Sequence, residues 1–296
     1  MGRPRYRSRD EDSSRWGGLS RRDGDIVVST RTKHGTTWAQ AILLHLIHGP
    51  ELPAPLPVVS PWIDHLVEPL LGVLGRLEAQ EHRRVIKTHT PLDGLPWREG
   101  LVYVVVARHP LDAATSLFHH IRNLDRRRMA ELAGQPVPAG RPVVELGTWL
   151  SRWVVDDADP RQHLDSLNGV AHHLIDAWQR RDEPNVVLVR YADLVVDRRR
   201  EVERLAVALD LPLEHVDCAV EATSLEAMRD NAHRMVPDPV GIILDPSQFF
   251  RGGRIGDGRR LDPRLVQRYE ERAAELFPPD LLEWLHGGEP DVHETS

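Results

Sequence analysis

The sequence predicts an α/β protein in which a central parallel sheet lies between two layers of helices. Short β-branched segments alternate with helical ones, and this alternation is typical of βαβ crossovers. Residues 101–107 are apolar on both faces, as expected of a strand at the centre of a helix-covered sheet. The chain has 296 residues, 41% of them hydrophobic, which is enough for one full core. We therefore expect a three-layer α/β/α fold.

Four strands are expected, each a short run rich in valine, isoleucine or leucine with the length of a buried strand. They cover residues 25–30, 84–88, 101–107 and 185–190. The first strand runs into the turn Arg31-Thr-Lys-His-Gly35. Since the strands alternate with helices, their carboxyl ends should meet at one edge of the sheet.

Helices are predicted between and after the strands. They cover residues 36–48, 62–80, 110–123, 171–182 and 196–209, with two short helices over 213–233 and another that starts near 262. Thr36 or Thr37 is expected to cap the first helix, and Gly49 followed by proline to end it. Pro110 suits the first position of its helix. Loops are expected over 50–61, over 124–170 with short helices, and over 235–248.

The two ends of the chain differ in composition from its middle. Residues 1–23 are rich in Arg, Asp and Ser and have little periodicity, so we expect a mobile N-terminal lead-in. Residues 24–286 are expected to form a single domain. The acidic residues 287–296 are expected to be a disordered tail.

Composition also limits the function. The formal net charge of −7 gives no global attraction to nucleic acid. Cys218 is the single cysteine and cannot form an intramolecular disulfide, which suits a reducing compartment. The longest apolar run is far shorter than the ~20 residues that span a membrane, and the N-terminus lacks the apolar segment of a signal peptide. We therefore expect a cytoplasmic protein with no transmembrane segment and no nucleic-acid partner.

The two lysines of the chain are informative because the other 36 of its 38 basic residues are arginines. Lys33 lies in the turn after the first strand, and Lys87 lies in the second strand. A strand, a tight turn at Gly35 and a helix that opens with Thr36 and Thr37 form an anion cradle, because free amide groups and the helix dipole point into the turn. The sequence thus predicts a phosphate site in a fold of the P-loop nucleotide-binding type.

A phosphotransferase or nucleotide hydrolase is one alternative for such a loop. Its signature is G-x-x-x-x-G-K-[ST], whereas here Lys33 precedes Gly35 and a leading glycine is missing. Such an enzyme also needs a carboxylate for Mg²⁺ after a neighbouring strand. The third strand is followed instead by Arg108, which favours direct phosphate binding without a metal. A catalytically silent nucleotide-binding or scaffolding protein is the other alternative.

Several motifs resemble the PAPS-dependent cytosolic-type sulfotransferases, whose donor PAPS is 3′-phosphoadenosine 5′-phosphosulfate. Lys33-His-Gly-Thr-Thr-Trp38 is similar to their 5′-phosphosulfate loop, and Arg108 with Ser116 to their 3′-phosphate motif. Lys87-Thr-His-Thr-Pro91 resembles the segment with the catalytic histidine. The adenine-contact segments and the late glycine-rich loop are matched by Tyr191-Ala-Asp-Leu194, Thr223-Ser-Leu225 and residues 249–257. These elements keep the family's order, and the pattern is closest to the bacterial glycolipid sulfotransferases.

The resemblance implies transfer of a sulfonyl group from PAPS to an acceptor hydroxyl, which leaves adenosine 3′,5′-bisphosphate (PAP) and needs no metal. His89 is the implied general base, and Lys33 the cation at the departing 5′-phosphate. Lys87 is expected at the sulfonyl oxygens, and Ser116 at the 3′-phosphate, where it also tempers the lysine. The acceptor pocket is expected to be shaped by the segments 50–61, 62–80, 124–170 and 235–248. Some of these are rich in Leu, Val and Pro, so we expect a lipophilic alcohol or glycolipid.

The implied donor-binding residues come from all of these motifs. They are Lys33, His34, Gly35, Thr36, Thr37, Trp38, Arg108, Ser116, Tyr191, Thr223, Leu225, Phe249, Arg251, Gly252 and Gly253. Trp38 and Tyr191 are expected to flank the adenine, with Phe249 closing over it. Five positions depart from the family pattern: Thr32 replaces a proline, His34 a serine, Leu225 an aromatic residue, Gly252 a lysine and Gly258 a tryptophan. The family's dimer motif is not evident, which leaves the oligomeric state open.

Overall fold

The computed structural model describes residues 2–137 and 144–287, and a parallel sheet forms the centre of this part of the chain. Its four strands are β1 (Ile26–Ser29), β2 (Val85–Thr88), β3 (Val102–Ala107) and β4 (Val186–Arg190). They are arranged in the order β2-β1-β3-β4, with every neighbouring pair parallel. All four therefore end at the same edge of the sheet.

Fourteen α-helices surround the sheet in the described residues. They are α1 (Thr36–His48), α2 (Leu56–Val59), α3 (Leu70–Glu78), α4 (Pro110–Arg122), α5 (Arg126–Leu132), α6 (Leu146–Val155), α7 (Leu167–Gln179), α8 (Tyr191–Val196), α9 (Arg198–Ala208), α10 (Val216–Ala222), α11 (Leu225–Asp230), α12 (Ala232–Met235), α13 (Pro263–Leu276) and α14 (Pro279–His286).

The strands send alternate side chains into two separate cores, since successive residues of a strand face opposite sides. Val27 and Tyr103 pack into one core, which is closed by helices α3, α4, α6, α7, α13 and α14. Val28 and Val104 pack into the other, which is closed by α1, α2 and α8 to α12. The predicted three-layer α/β/α fold is confirmed.

The prediction of one helix over 62–80 was wrong in its first half. Trp62 forms a parallel bridge with Lys87 of β2, and His65 pairs with Glu11 of the N-terminal segment. The backbone of this stretch is therefore used for pairing, and α3 begins only at Leu70, after Pro69.

The prediction of a mobile lead-in over 1–23 was also wrong. Tyr6, Trp16 and Leu19 are 3%, 1% and 4% exposed, and residues Ser13–Gly18 form a 3₁₀-helix. The Asp12 amide donates to the Asp64 carbonyl at 2.8 Å, which ties this segment to the chain before α3. Few apolar residues scattered among arginines anchor the segment, so its average composition concealed the packing.

Some predictions fall on residues outside the described part of the chain. These are most of the disordered tail predicted over 287–296, of which only Gly287 is described, and positions 138–143 of the 124–170 loop region. Within the described residues, no helix has the length and apolar character needed to cross a membrane.

Candidate active site

A cavity of about 560 Å³ lies at the carboxyl ends of the four strands. This edge is where ligands bind in open α/β folds, because the loops that follow parallel strands converge there. The cavity is lined by nearly all of the predicted site residues, namely Lys33, Gly35, Thr36, Thr37, Trp38, Lys87, His89, Arg108, Ser116, Tyr191, Thr223, Leu225, Phe249, Arg251, Gly252 and Gly253. Motifs far apart in sequence thus meet at one site.

The turn between β1 and α1 is held in a conformation that depends on glycine. Gly35 is the N-cap of α1 with φ 107°, and a Cβ placed there would lie 2.9 Å from Cδ2 of Tyr191. The predicted cap by Thr36 or Thr37 was wrong, since α1 has no side-chain cap and Thr36 instead hydrogen-bonds to the hydroxyl of Thr30. The first amide groups of the helix are therefore left for a ligand.

The prediction of His34 as a donor-binding residue is corrected by its burial. Its side chain is 1% exposed and does not line the cavity. Nδ1 lies 3.1 Å from the Thr32 carbonyl, and the backbone amide donates to the Arg31 carbonyl at 3.1 Å. Both the imidazole and the backbone amide of His34 are used in hydrogen bonds within the turn, so His34 stabilises the conformation of the loop.

Arg108, which follows β3, connects the separate segments around the cavity. Its guanidinium donates to the Lys33 carbonyl at 3.4 Å and to the Arg254 carbonyl at 2.9 Å. The same group lies over the Tyr191 ring, with 4.4 Å between the guanidinium carbon and the ring centroid. The turn at Gly35 and the end of β3 are therefore parts of one cationic site, as the motifs require.

Aromatic rings line the cavity beside these cations. Trp38 Nε1 donates to the Thr223 carbonyl at 2.9 Å, and its ring meets Tyr191 edge-on at 5.3 Å. Phe249 lies against the Lys33 ammonium, 4.1 Å from Nζ to the ring centroid, so it covers the lysine in this structure. The placement of an adenine between these rings stays a prediction.

The glycine-rich loop after residue 248 closes another side of the cavity. Gly253 has φ 60°, and a Cβ there would lie 3.2 Å from the Leu225 side chain, so the loop needs glycine for this close approach. Arg229 donates to the Phe250 carbonyl at 2.8 Å and also to the Arg251 carbonyl. These contacts hold Arg251 at the cavity wall.

His89, just after β2, is held as one tautomer. Its Nδ1 hydrogen-bonds to the Thr30 carbonyl, and because a carbonyl only accepts, Nδ1 carries the proton. The Nε2 lone pair is then free to accept a proton. Arg31 donates to the His89 carbonyl at 2.7 Å and fixes the backbone. Burial, and then the charges of Lys87 and Arg31, hold the pKa of His89 well below its ordinary value.

Lys87 is buried and Lys33 is half-buried, and cationic neighbours lie around Lys33. Burial, together with the charges of Arg108, Lys87 and Arg251, lowers the pKa of Lys33 to about 7. Burial lowers the pKa of Lys87 to about 8, although Glu11 and Asp64 oppose the shift. The Lys87 ammonium lies 3.9 Å from the Trp62 ring centroid. The repulsion between Lys33 and its cationic neighbours is relieved when a polyanion binds in the cavity.

Several cavity residues were not identified individually from the sequence, although many of them lie in the segments expected to shape the acceptor pocket. They include the polar or aromatic side chains of Asp10, Glu11, Trp62, His65, His120, Arg126 and Asp165, and an apolar wall formed by Leu117, Ile121, Leu124, Met129, Ile242 and Ile243. His119 and His120 both line the cavity, and the His120 ring lies 5.9 Å from Phe249. No local sequence pattern identifies these residues, because they are brought together by contacts between segments that are distant in sequence.

Comparison with known proteins decides the family. The sulfotransferase domain family matches residues 23–278. The glycolipid sulfotransferase of Mycobacterium bovis (strain BCG / Pasteur 1173P2) is 39% identical over 308 residues, which cover 96% of this chain and 94% of the relative. The chain belongs to the sulfotransferase family. Human sulfotransferase 1E1 is similar to this sulfotransferase at 24% identity, over 86% of the chain and 85% of the relative.

Solved structures share the fold of this sulfotransferase. Mouse sulfotransferase SULT7A1, complexed with PAP, superposes with a TM-score of 0.63 at 19% identity, covering 89% of this chain and 88% of that one. Retinol dehydratase in a complex with retinol and PAP gives a TM-score of 0.67 at 20% identity, covering 90% and 86%.

Family membership confirms the predicted reaction class of the sulfotransferase. It transfers a sulfonyl group from PAPS to an acceptor hydroxyl and releases PAP. The alternative of a phosphotransferase or nucleotide hydrolase is thereby set aside, as is that of a silent scaffolding protein.

Proposed function

We propose that this sulfotransferase binds PAPS across the strand ends and sulfonates a hydroxyl of a glycolipid or another lipophilic alcohol. The 5′-phosphosulfate would lie in the turn at Lys33 and Gly35, and the 3′-phosphate at Arg108 with Ser116 and Arg251. The observation that carries the proposal is that these groups and His89 line a single cavity. Trp38 and Tyr191 supply aromatic faces of the kind that bind adenine.

The reaction needs a base, a group that binds the sulfonyl oxygens and a cation that stabilises the leaving group. His89 Nε2 takes the proton of the acceptor hydroxyl while the acceptor oxygen forms a bond to sulfur. The bond between sulfur and the bridging oxygen breaks, and its electrons pass to the 5′-phosphate of PAP. Lys33 neutralises the charge that develops there, and Lys87 binds the sulfonyl oxygens.

A lipophilic acceptor is supported by the apolar wall of the cavity. Leu117, Ile121 and Leu124 come from α4 and the residues after it, and Ile242 and Ile243 face the same cavity. Burial of an alkyl chain there contributes roughly 25 cal/mol per Å² of apolar surface. The 39% identical mycobacterial relative is named a glycolipid sulfotransferase, which agrees with such an acceptor.

The proposed acceptor class is tested with PAPS that carries ³⁵S in the sulfonyl group. We expect label to pass from PAPS into organic-extractable lipids, and PAP to bind the free enzyme in titration calorimetry. Label that enters only water-soluble phenols or amines would contradict the acceptor class. Absence of heat with PAP would contradict the proposed donor site itself.

The affinity for PAP should fall as the pH rises above about 7. Binding a polyanion favours charged Lys33, so its pKa, about 7 in the free enzyme, rises in the complex. Below pH 7 the lysine is already protonated, and affinity gains little from further acid. Above pH 7 binding takes up a proton, so the association constant drops by up to about tenfold per pH unit. Calorimetry from pH 7 to 9 in buffers of different ionisation enthalpy measures both the affinity and the proton uptake.

Lys33→Arg is the matched control for this pH dependence. Arginine remains charged throughout that range, so proton uptake near pH 7 should fall even if the affinity itself is lower, and only the contribution of Lys87 should remain. Unchanged proton uptake in the arginine variant would show that another group titrates on binding.

A further inference from the structure

The N-terminal segment supplies part of the reaction cavity. Residues 10–12 pair with residues 64–66: the Leu66 amide donates to the Asp10 carbonyl at 2.9 Å, and Glu11 forms an antiparallel bridge with His65. Asp10, Glu11 and His65 all line the cavity. The pairing places these polar side chains on the wall that also holds Trp62.

Three carboxyl groups on this wall differ in their hydrogen-bond partners. Asp10 accepts a hydrogen bond from Arg126 at 2.9 Å, and Asp165 accepts one from Arg31 at 2.8 Å. In the part of the chain that the structure describes, the Glu11 carboxyl group accepts no hydrogen bond, and the Arg31 guanidinium lies 3.8 Å from it. Glu11 therefore keeps hydrogen-bonding capacity for a ligand.

His65, which pairs with Glu11, also keeps hydrogen-bonding capacity. Its side chain is 7% exposed, and within the described residues its imidazole makes no hydrogen bond. It stacks on Trp62, with ring centroids 3.9 Å apart and 15° between the planes. Trp62 in turn meets His89 edge-on at 4.5 Å. The His65 ring is thus separated from the base by the Trp62 ring, and its nitrogens keep hydrogen-bonding capacity for a ligand.

Both groups are suited to a neutral ligand. Burial raises the pKa of Glu11 to about 8 and holds that of His65 well below its ordinary value. Near neutral pH a protonated carboxyl and a neutral imidazole can each donate and accept hydrogen bonds. A protonated Glu11 also does not repel the sulfonate beside Lys87. A hydroxyl group matches this pair better than an ion does.

We infer that Glu11 and His65 bind a second hydroxyl of the acceptor, so that the enzyme selects a polyhydroxylated head, as in a sugar, over an isolated alcohol. This inference rests on the proposed function, since it assigns the acceptor's second contact beside His89. Glu11 and His65 are positioning residues that orient the acceptor, and they take no part in the proton transfer.

The test compares two acceptors with the same alkyl chain, n-dodecyl β-glucoside and 1-dodecanol. For the wild type we expect kcat/KM to favour the glucoside by at least about tenfold, because a buried site that must hydrogen-bond a hydroxyl rejects a ligand that lacks it. Glu11→Ala should lower the ratio of the two kcat/KM values by about tenfold or more. Glu11→Gln, which keeps the shape and one donor, should restore part of the ratio.

Glu68→Ala is the matched control. Glu68 is a buried carboxylate, 9% exposed and paired with Arg76 at 2.6 Å, but it does not line the cavity. Its substitution should leave the ratio unchanged. If the Glu11 variants lower both kcat/KM values equally, or if the wild type shows no preference for the glucoside, the inference is overturned while the proposed function stands. If neither acceptor is sulfonated although PAP binds, the lipophilic acceptor itself is wrong.

Discussion

Replacing His89 with alanine should lower kcat by about 10²–10⁴-fold, the range that a positioned general base contributes. The Thr30 carbonyl holds the proton on Nδ1, so Nε2 is the atom that can remove the acceptor proton. In the described structure His89 makes no hydrogen bond with Lys33 or Arg108, so PAP should bind the variant as before. Single-turnover transfer and PAP calorimetry measure the two properties separately.

His89→Asn separates the function of His89 as a base from its hydrogen bond to the Thr30 carbonyl. The asparagine amide can still donate to the Thr30 carbonyl, but it offers no lone pair of comparable basicity. We therefore expect the asparagine variant to be as inactive as the alanine variant. Retention of more than about a tenth of the wild-type kcat in either variant would assign the base to another residue, and His120 is the other imidazole near the two lysines.

The core of the site could be predicted from sequence because it is built at strand ends. Lys33, His89 and Arg108 each follow or end a strand, and parallel topology alone brings such positions together. The lysines were conspicuous in an arginine-rich chain. Glycine at position 35 marked the turn because its φ of 107° excludes most other residues.

The acceptor side of the cavity could not be predicted in the same way. Glu11 and His65 meet through a pairing of segments more than fifty residues apart, and periodicity within either segment carries no signal for it. Residues 62–69 do not form the expected helix, because the backbone of this stretch is used for pairing. The N-terminal lead-in was predicted wrongly because charge-rich composition describes an average, whereas a few buried side chains, Tyr6, Trp16 and Leu19, anchor the segment.

Replacing Arg108 with alanine should weaken PAP binding by about 100-fold, since one or two hydrogen bonds to a charged phosphate are worth about 1.5–3 kcal/mol each. The proposed 3′-phosphate site loses its guanidinium, and the Lys33 and Arg254 carbonyls lose their shared donor. Arg108→Lys keeps the charge without the planar fork, so it should lie between the alanine variant and the wild type. Calorimetry with PAP measures each affinity.

Arg108 can contribute to PAP binding in two ways, by binding the 3′-phosphate and by holding the Lys33 turn in place. Adenosine 5′-phosphate separates these contributions, because it lacks the 3′-phosphate. If Arg108 binds that phosphate, the alanine variant should lose less than about threefold in affinity for adenosine 5′-phosphate, while the loss for PAP stays near 100-fold. Equal losses for both ligands would instead mean that Arg108 acts mainly by holding the Lys33 turn in place. The hydrogen bond to the Lys33 carbonyl is long, 3.4 Å, whereas Arg108 lines the cavity directly, and this geometry favours the selective loss.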